Sequence, residues 1–319
     1  MTNHPAAASA PSLEHTACNL CGSEATELLR NARVLHYGQA MEFAIVRCRS
    51  CRLVYIDPRP DPEYLGAFYP KGYQEDILRF LEEGRKSPIF RLGMRMLRKR
   101  RIPPVAGGGQ LLDIGCSNGM YLAAAREAGW KVRGIELDEA AAEVARTHFG
   151  LDVDCGDGTS LLRSYPEASL DVVTLWHVLE HFADPLGILR EIFRVLRPGG
   201  KILMEVPNFA SPLAGLLGDH WFPLDPPRHL YHFTPATLEA MLRKAGFEGI
   251  RVRGVPSPEA IVWSLASLGR SGPEESVPGQ PLKANLPAMA AAFPVSWMMA
   301  LFNRSDHMSV AAEKTPRLS

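Results

Sequence analysis

The chain has no excess of charge of either sign. It contains 35 Lys and Arg residues against 35 Asp and Glu residues, so its formal net charge is +0 at pH 7. A protein without net charge has no overall field that attracts polyanions, which argues against a nucleic-acid partner but leaves a local basic patch open. The composition, 46% hydrophobic and 22% charged, is that of an ordinary globular protein.

The sequence also lacks an export signal and a run long enough to cross a membrane. Residues 1–15, MTNHPAAASAPSLEH, contain no apolar core segment, so we expect a disordered tail over 1–14 and a cytoplasmic protein. The longest apolar stretch, Ala288 to Phe302, contains Pro294 and is shorter than the roughly 20 residues of a membrane helix. It predicts a buried or interfacial helix. Packing on a sheet edge, a homodimer contact and peripheral contact with a membrane all remain open.

Cysteine is scarce, with 6 residues, but four of them form two pairs, Cys18-x-x-Cys21 and Cys48-x-x-Cys51. Two such pairs can present four thiolates in a tetrahedron, the geometry that structural zinc prefers. Reduced thiols in the cytoplasm favour metal binding over disulfides. The sequence therefore predicts a small zinc-ribbon-like module, which with its connector occupies residues 15–75. Four ligands close the site, so this Zn²⁺ is expected to be structural.

The rest of the chain alternates between strands and helices. Residues 76–104 predict a helical linker that ends in a basic cluster, Arg98 to Arg101. From 105 to 256, short apolar runs such as QLLDI and KILMEV alternate with helical patterns. Residues 257–319 predict a Pro-rich loop, the apolar helix and a last strand, HMSVAAEK. This order is typical of a doubly wound α/β sheet, here with seven strands, and the alternation predicts that they run parallel.

Ligands of such sheets bind outside the carboxyl ends of the strands. The first strand of this region ends in DIGCSNG, a tight turn with Asp113, Gly115 and Gly119. The second ends at Glu136, where a carboxylate can accept both hydroxyls of a ribose, and after the third Asp157 is placed to contact an adenine amino group. The turn lacks the G-x-G-x-x-G of dinucleotide sites. We therefore expect an adenosine-containing cofactor with little provision for a pyrophosphate.

The motifs LLDIGCSNG, GIELDE, CGDG, VLEHFADP and LRPGGKILMEVPN, in this order over residues 105–255, resemble the class I S-adenosylmethionine-dependent methyltransferases. The resemblance implies a Rossmann-like fold and S-adenosylmethionine as cofactor. Ser117 stands where many members have a third glycine. Together with the cysteine pairs and DPPRHLYHFTPATLEAMLRKAGF, the chain is similar to bacterial members that methylate sugars or other small molecules. The expected cofactor contacts are Asp113, Gly115, Cys116, Gly119, Glu136, Leu137, Asp157, Gly158 and Trp176.

The stretch HVLEH, residues 177–181, also fits the H-x-x-E-H pattern of some zinc peptidases, which requires a helix. Here it follows an apolar strand and leads into Asp-Pro, so we expect a loop and no peptidase site. A histidine can take a proton from a methyl acceptor, and the resemblance implies His181 as the first choice and His177 as the second. A divalent ion at Glu180 and His181 is a further alternative that the resemblance raises.

The stretch DHWFPLDPPRHLYHF follows the fifth strand and is expected to cover the acceptor, with Arg228, His229, Tyr231 and His232 as contacts. The predicted activity is methyl transfer to a small molecule, and the resemblance slightly favours a sugar or nucleotide-sugar. A quinone-type O-methyltransferase, an RNA methyltransferase with a zinc module and a non-catalytic scaffold are the alternatives.

Overall fold

The computed structural model describes residues 12–34, 41–61, 101–104, 107–268 and 286–315. The predictions for residues 1–11, for most of the linker and for residues 269–285 lie outside the described residues. The Pro-rich loop predicted from residue 257 was wrong at its start, because Pro258–Ser267 form a helix. Leu13 and Glu14, expected to be part of the tail, already form a short strand.

Thirteen strands form the three sheets of the described part of the chain. They are β1 (Leu13–Glu14), β2 (Thr26–Arg33), β3 (Glu42–Cys48), β4 (Val54–Ile56), β5 (Arg59–Pro60), β6 (Gln110–Ile114), β7 (Lys131–Glu136), β8 (Val153–Cys155), β9 (Leu170–Trp176), β10 (Leu196–Pro207), β11 (Tyr231–His232), β12 (Glu248–Val255) and β13 (His307–Glu313).

The α-helices of the same residues are α1 (Met120–Glu127), α2 (Glu139–Phe149), α3 (Gly158–Ser164), α4 (Pro185–Val195), α5 (Pro212–Leu217), α6 (Pro235–Ala245), α7 (Pro258–Ser267) and α8 (Leu286–Leu301). Side-chain caps fix where several of them begin. Asp138, Asp184 and Thr234 accept hydrogen bonds from the first-turn amides of α2, α4 and α6. Proline occupies the first turn of α4 and α6, where its missing amide proton is not needed.

The large sheet has seven strands in the order β12-β13-β10-β9-β6-β7-β8. Strands β10, β9, β6, β7 and β8 are parallel neighbours, whereas β13 is antiparallel to both β10 and β12. The seven-stranded, Rossmann-like fold is confirmed, but the sheet is mixed. The prediction that all seven strands run parallel was wrong for β13. After α8 the chain enters this strand at the end of the sheet where β10 finishes, so that His307 pairs with Pro207.

The cysteine module forms a four-stranded sheet with the order β11-β4-β3-β2. Its fourth strand, β11, comes from the loop after β10, and Tyr231 and His232 pair with Tyr55 and Val54. The amide of Ile56 also donates to the carbonyl of Leu230 at 2.9 Å. The module therefore shares a sheet with the segment that was expected to cover the acceptor, and it is not a separate appendage.

Helix α8 is mostly exposed, although the sequence favoured a buried or interfacial helix. Phe293, Trp297 and Met298 are each at least 51% exposed, whereas Ser296 is buried. The Ser296 hydroxyl accepts a hydrogen bond from the backbone amide of Ser257. Burial within this chain was wrong for most of the helix, because only one of its sides packs on α7 and β12.

Candidate active site

The turn after β6 has the backbone conformations that its glycines allow. Gly115 has φ 69° and Gly119 φ 80°. A Cβ at Gly115 would lie 2.5 Å from Val178 Cγ2, and one at Gly119 would lie 2.5 Å from Leu151 Cδ1. Ser117 has φ 49°, so it adopts the left-handed conformation although it has a side chain. Larger residues at the two glycines would displace the chain at the strand end.

Glu136 holds this turn in place from the end of the neighbouring strand β7. Its Oε2 accepts a hydrogen bond from the Ser117 amide at 2.7 Å, and its Oε1 accepts from the amides of Leu137 and Asp138 at 2.9 and 3.0 Å. Burial raises the pKa of this carboxyl above its ordinary value. The carboxylate is thus fixed at the point where we predict the cofactor ribose.

Asp113 and Cys116 lie beneath the turn. Asp113 is buried and accepts a hydrogen bond from the Thr174 hydroxyl at 2.6 Å. Burial raises the pKa of Asp113 to about 7. Cys116 is buried as well, and a Cβ on Gly134 would lie 2.6 Å from its sulfur. This placement favours a supporting role for both side chains, and direct cofactor contact by them stays a prediction.

The remaining predicted cofactor residues lie around the same strand ends. Leu137 is 72% exposed at the end of β7. Asp157 caps α3, accepting from the Ser160 amide at 2.8 Å, and Gly158 lies against the Phe182 ring. Trp176 ends β9 with its ring centroid 5.2 Å from that of Tyr121. Its indole nitrogen is buried and has no hydrogen-bond partner among the described residues.

The HVLEH stretch follows β9 as a three-residue 3₁₀ turn, Leu179–His181. A helix that presents both histidines on one face, as the peptidase motif requires, is not formed here. His177 has φ 59°, a rare conformation for a residue with a side chain. This turn places the three titratable side chains of the motif, His177, Glu180 and His181, at the carboxyl end of the parallel strands.

His177 lies between two carboxylates. Its Nε2 is 3.2 Å from Glu205 Oε1, and its Nδ1 is 3.7 Å from Glu180 Oε1. Desolvation alone would lower the pKa of His177, but the hydrogen-bonding and charge of Glu180 and Glu205 outweigh it and raise the pKa to about 10. The imidazole is therefore protonated at neutral pH. That state favours a positioning or electrostatic role over proton removal.

His181 is in the opposite state. Burial and the neighbouring His229 and Arg228 lower its pKa to about 4, so the ring is neutral at pH 7. Its Nδ1 lies 2.9 Å from the carbonyl oxygen of Arg228. Because a carbonyl only accepts, Nδ1 carries the proton and Nε2 keeps its lone pair. His181 thus has the tautomer that a general base requires.

Glu180 and His229 complete the group. His229 Nδ1 donates to the Pro223 carbonyl at 2.8 Å, and the His229 ring lies 4.7 Å from that of His181. Glu180 is fully buried, and neither carboxylate oxygen has a hydrogen-bond partner among the described residues. Burial would raise its pKa, but His177, whose Nδ1 lies 3.7 Å from Glu180 Oε1, lowers it to about 2. One ligand atom from each of Glu180, His181 and His229 falls within 4.8 Å of the others.

The other residues predicted to contact the acceptor are engaged elsewhere. Arg228 pairs with Asp225, its Nε lying 3.0 Å from Oδ2. Tyr231 is buried and donates to the Ala183 carbonyl at 3.1 Å, while His232 is 1% exposed beside Phe209. Tyr231 and His232 thus pack in the joint between module and catalytic sheet. Acceptor contact by Arg228, Tyr231 and His232 stays a prediction, and His229 has the best position for it.

Sequence reasoning missed three residues near His177. Glu205 is a buried carboxylate within β10, and a Glu inside the apolar run KILMEVP was a usable signal. Arg101 pairs with Glu205 at 2.8 Å and lies over the Trp176 ring at 4.9 Å. His307, at the start of β13, lies with its ring 4.6 Å from His177. Only the fold brings these distant positions together, so their spacing gave no warning.

A family model described as a methyltransferase domain matches residues 66–252, more than half of the chain. The chain belongs to the methyltransferase family. The resemblance to the S-adenosylmethionine-dependent class is thereby confirmed. The fold agrees with a crystal structure of an S-adenosylmethionine-dependent methyltransferase from Archaeoglobus fulgidus, at TM-score 0.51 and 21% identity, over 75% of this chain and 99% of that one.

Curated relatives are similar over a shorter range. A ubiquinone biosynthesis O-methyltransferase of Idiomarina loihiensis is 34% identical over 159 residues, which make up 46% of this chain and 65% of that protein. The protein of the same name from Thiobacillus denitrificans is 31% identical over 174 residues, 51% of this chain and 74% of that protein. With the first relative, the alignment thus spans just under two thirds of the other protein.

Proposed function

We propose that the protein transfers a methyl group from S-adenosylmethionine to a hydroxyl group of a small-molecule acceptor. The observation that carries this proposal is the pairing of the Glu136-braced turn with a neutral His181 in the general-base tautomer. Both lie at the carboxyl ends of neighbouring strands, where ligands of such sheets bind.

The acceptor class is the finer part of the proposal. The curated relatives are named for ubiquinone biosynthesis, which favours a phenolic, quinone-type acceptor over the sugar that the motifs first favoured. The balanced charge continues to argue against RNA. A non-catalytic scaffold has the least support, because Gly115, Glu136 and Asp157 of the predicted cofactor site lie together at the strand ends.

The residues of the chain provide binding, orientation and proton removal. S-adenosylmethionine, when bound, supplies an electrophilic methyl group on a sulfonium. Glu136 and the glycine turn would hold its adenosine part, and Trp176 and Leu137 would flank it. His181 Nε2 would accept the proton of the acceptor hydroxyl, so that the acceptor oxygen can take the methyl group that S-adenosylmethionine would supply. A base of this kind contributes roughly 10²- to 10⁴-fold in rate.

A divalent cation at Glu180, His181 and His229 is a second candidate for this site. Metal-binding histidines usually donate their other ring N–H to a carbonyl or carboxylate, and both His181 and His229 do so. The buried Glu180 carboxylate without a hydrogen-bond partner fits the same role. A cation there would orient acceptor oxygens and polarise them. It would occupy His181 Nε2, so base and ligand are mutually exclusive roles for that atom.

The four module cysteines fit a structural Zn²⁺. Cys18 Sγ lies 3.4 Å from Cys51 Sγ and Cys21 Sγ lies 3.5 Å from Cys48 Sγ, with all four sulfurs within 4.8 Å. A tetrahedron with Zn–S of about 2.3 Å places its sulfurs about 3.8 Å apart. We include this zinc in the proposal, and with it the cytoplasmic location that reduced thiols favour.

Peripheral contact with a membrane surface through α8 is also part of the proposal, with a homodimer as the alternative. In the part of the chain that the structure covers, no helix has the length and hydropathy to cross a bilayer. Exposed Phe293, Trp297 and Phe302 favour contact with an apolar surface. Sedimentation with anionic vesicles tests the membrane contact, and a measurement of the molecular mass in solution tests the homodimer.

An acceptor panel tests the function. Purified protein is incubated with S-adenosylmethionine and 3,4-dihydroxybenzoate, UDP-glucose or ribosomal RNA, and S-adenosylhomocysteine is measured. Turnover with the catechol alone is expected. Turnover with UDP-glucose alone would restore the sugar acceptor, and cofactor binding without any turnover would contradict the catalytic role.

A further inference from the structure

A cavity of about 490 Å³ lies between the cysteine module and the segment after β10. It shares none of its described lining residues with the candidate active site. That lining consists of Leu29, Arg30, Arg47, Arg52, Val54, Phe209, Ala210, Ser211, Pro212, Ala214, Gly215 and Thr234. The proposed methyl transfer gives this cavity no role.

The charge of the cavity is unlike that of the protein. Among its described lining residues there are three arginines and no acid, whereas the whole chain is balanced at 35 against 35. The arginines Arg47 and Arg52 share a single carboxylate oxygen, Glu27 Oε1, at 3.3 and 3.1 Å. Two guanidinium groups on one carboxylate leave one positive charge beside the cavity.

The third arginine of the lining, Arg30, also shares its carboxylate partner with another arginine. Arg30 and Arg33 share the carboxylate of Asp219, at the longer distances of 3.9 and 3.8 Å. Gly218 has φ 59°, and a Cβ there would lie 2.8 Å from an Arg30 guanidinium nitrogen. The glycine thus leaves room for the Arg30 side chain. Arg33 is not in the described lining, so three lining arginines against two carboxylates leave an excess of one positive charge beside the cavity.

The remaining wall is apolar, with Leu29, Val54, Phe209 and Ala214 among its residues. Arg30 and Arg47 are each 30% exposed, so water screens their charge only in part. Guanidinium groups bind phosphate oxygens in pairs through their planar arrangement of donors. An excess of positive charge beside an apolar wall suits an anion with an attached organic group.

We propose that this pocket binds a phosphate ester of an organic molecule, with its phosphate on Arg30, Arg47 and Arg52 and its organic part against Phe209 and Val54. The site is built by the cysteine module together with the segment that follows β10. It is separate from the methyl-transfer site and does not rest on the proposed function.

Calorimetric titration at fixed ionic strength tests the proposal on the full-length, zinc-loaded chain, with phenyl phosphate and inorganic phosphate as probes. We expect saturable binding of phenyl phosphate, at least tenfold tighter than that of inorganic phosphate. The double variant Arg47→Gln/Arg52→Gln should weaken it at least tenfold. Arg30→Gln should also weaken it, and it leaves the Glu27 pairs intact if the double variant fails to fold.

Arg49→Gln is the matched control. It removes the same charge from the same module, but Arg49 donates to the Thr26 carbonyl and is not in the described lining. Its binding should stay within twofold of the unmodified protein. Absence of saturable phenyl phosphate binding, or equal binding by Arg30→Gln and Arg49→Gln, would overturn the site. Equal affinity for the two probes would overturn the organic part of the proposal.

Discussion

Replacing His181 by alanine should abolish most methyl transfer while S-adenosylmethionine still binds. The magnitude follows from its role: removal of a general base costs roughly 10²- to 10⁴-fold in kcat, or about 2.7 to 5.5 kcal/mol at about 1.36 kcal/mol per tenfold. Because the pKa of His181 is lowered to about 4, the unmodified protein should keep its kcat/KM down to about pH 5. It should lose activity only as the pH falls further.

The assay measures S-adenosylhomocysteine formation between pH 4.5 and 9, with the acceptor that gives turnover. His148→Ala is the matched control, because His148 is an exposed histidine of α2 in the same domain. Added imidazole should restore part of the rate of His181→Ala, since it supplies the missing base. A His181→Ala rate within threefold of the unmodified protein, with equal cofactor affinity, would refute the reasoning.

Three further predictions concern metal, module and stability. If Glu180, His181 and His229 hold a cation, dialysis against EDTA should lower the activity, and added Mg²⁺ or Mn²⁺ should restore it. The same ions should not restore activity to Glu180→Gln. Turnover that resists EDTA would contradict the cation site and leave His181 as the base. Cys48→Ser should release zinc and increase amide hydrogen exchange at Leu230–His232, whose strand pairs with the module, whereas Cys155→Ser should do neither. Burial lowers the pKa of His232 to about 3, against about 6.5 in the unfolded chain. As the pH falls from 7 to 4.5, the unfolded state therefore binds more protons than the folded state, and His232 should lower the free energy of unfolding by about 2 to 3 kcal/mol. In denaturant unfolding, His232→Phe should lose less stability than the unmodified protein over this pH range, by about that amount. Equal losses of stability in the two proteins would contradict this.

Much of the fold could be predicted, because its signals are local. The apolar runs of β6, β7, β9 and β10 lie where the sequence pattern predicted strands. The direction of β13 could not be predicted from local signals, because it depends on the end of the sheet at which the chain arrives after α8. The pairing of β11 with β4 could not be predicted from local signals either. It joins residues far apart in sequence and follows from burial of Tyr231 against Tyr55.

In the candidate site, too, the features with local signals could be predicted and those that depend on the fold could not. The glycine turn, Glu136 and the four cysteines have characteristic spacings, and the structure brings each set together. Protonation states do not follow from spacing: His177 and His181 are four residues apart, yet one has a raised pKa and the other a lowered one. Glu180 and Glu205 raise the pKa of His177 against its burial, whereas burial and His229 lower the pKa of His181. Of these causes only Glu180 is a neighbour in sequence; Glu205, His229 and the burial of each ring follow from the fold.

Cofactor binding is the central claim, and calorimetric titration of the zinc-loaded protein with S-adenosylmethionine tests it most directly. Glu136→Gln is compared with Glu139→Gln, a control three residues away whose carboxylate is 66% exposed and paired with Arg146. The account predicts micromolar binding that Glu136→Gln weakens at least tenfold, about 1.4 kcal/mol, and that Glu139→Gln leaves unchanged. Absence of binding in the folded, zinc-loaded protein, or equal affinity in both variants, would contradict it.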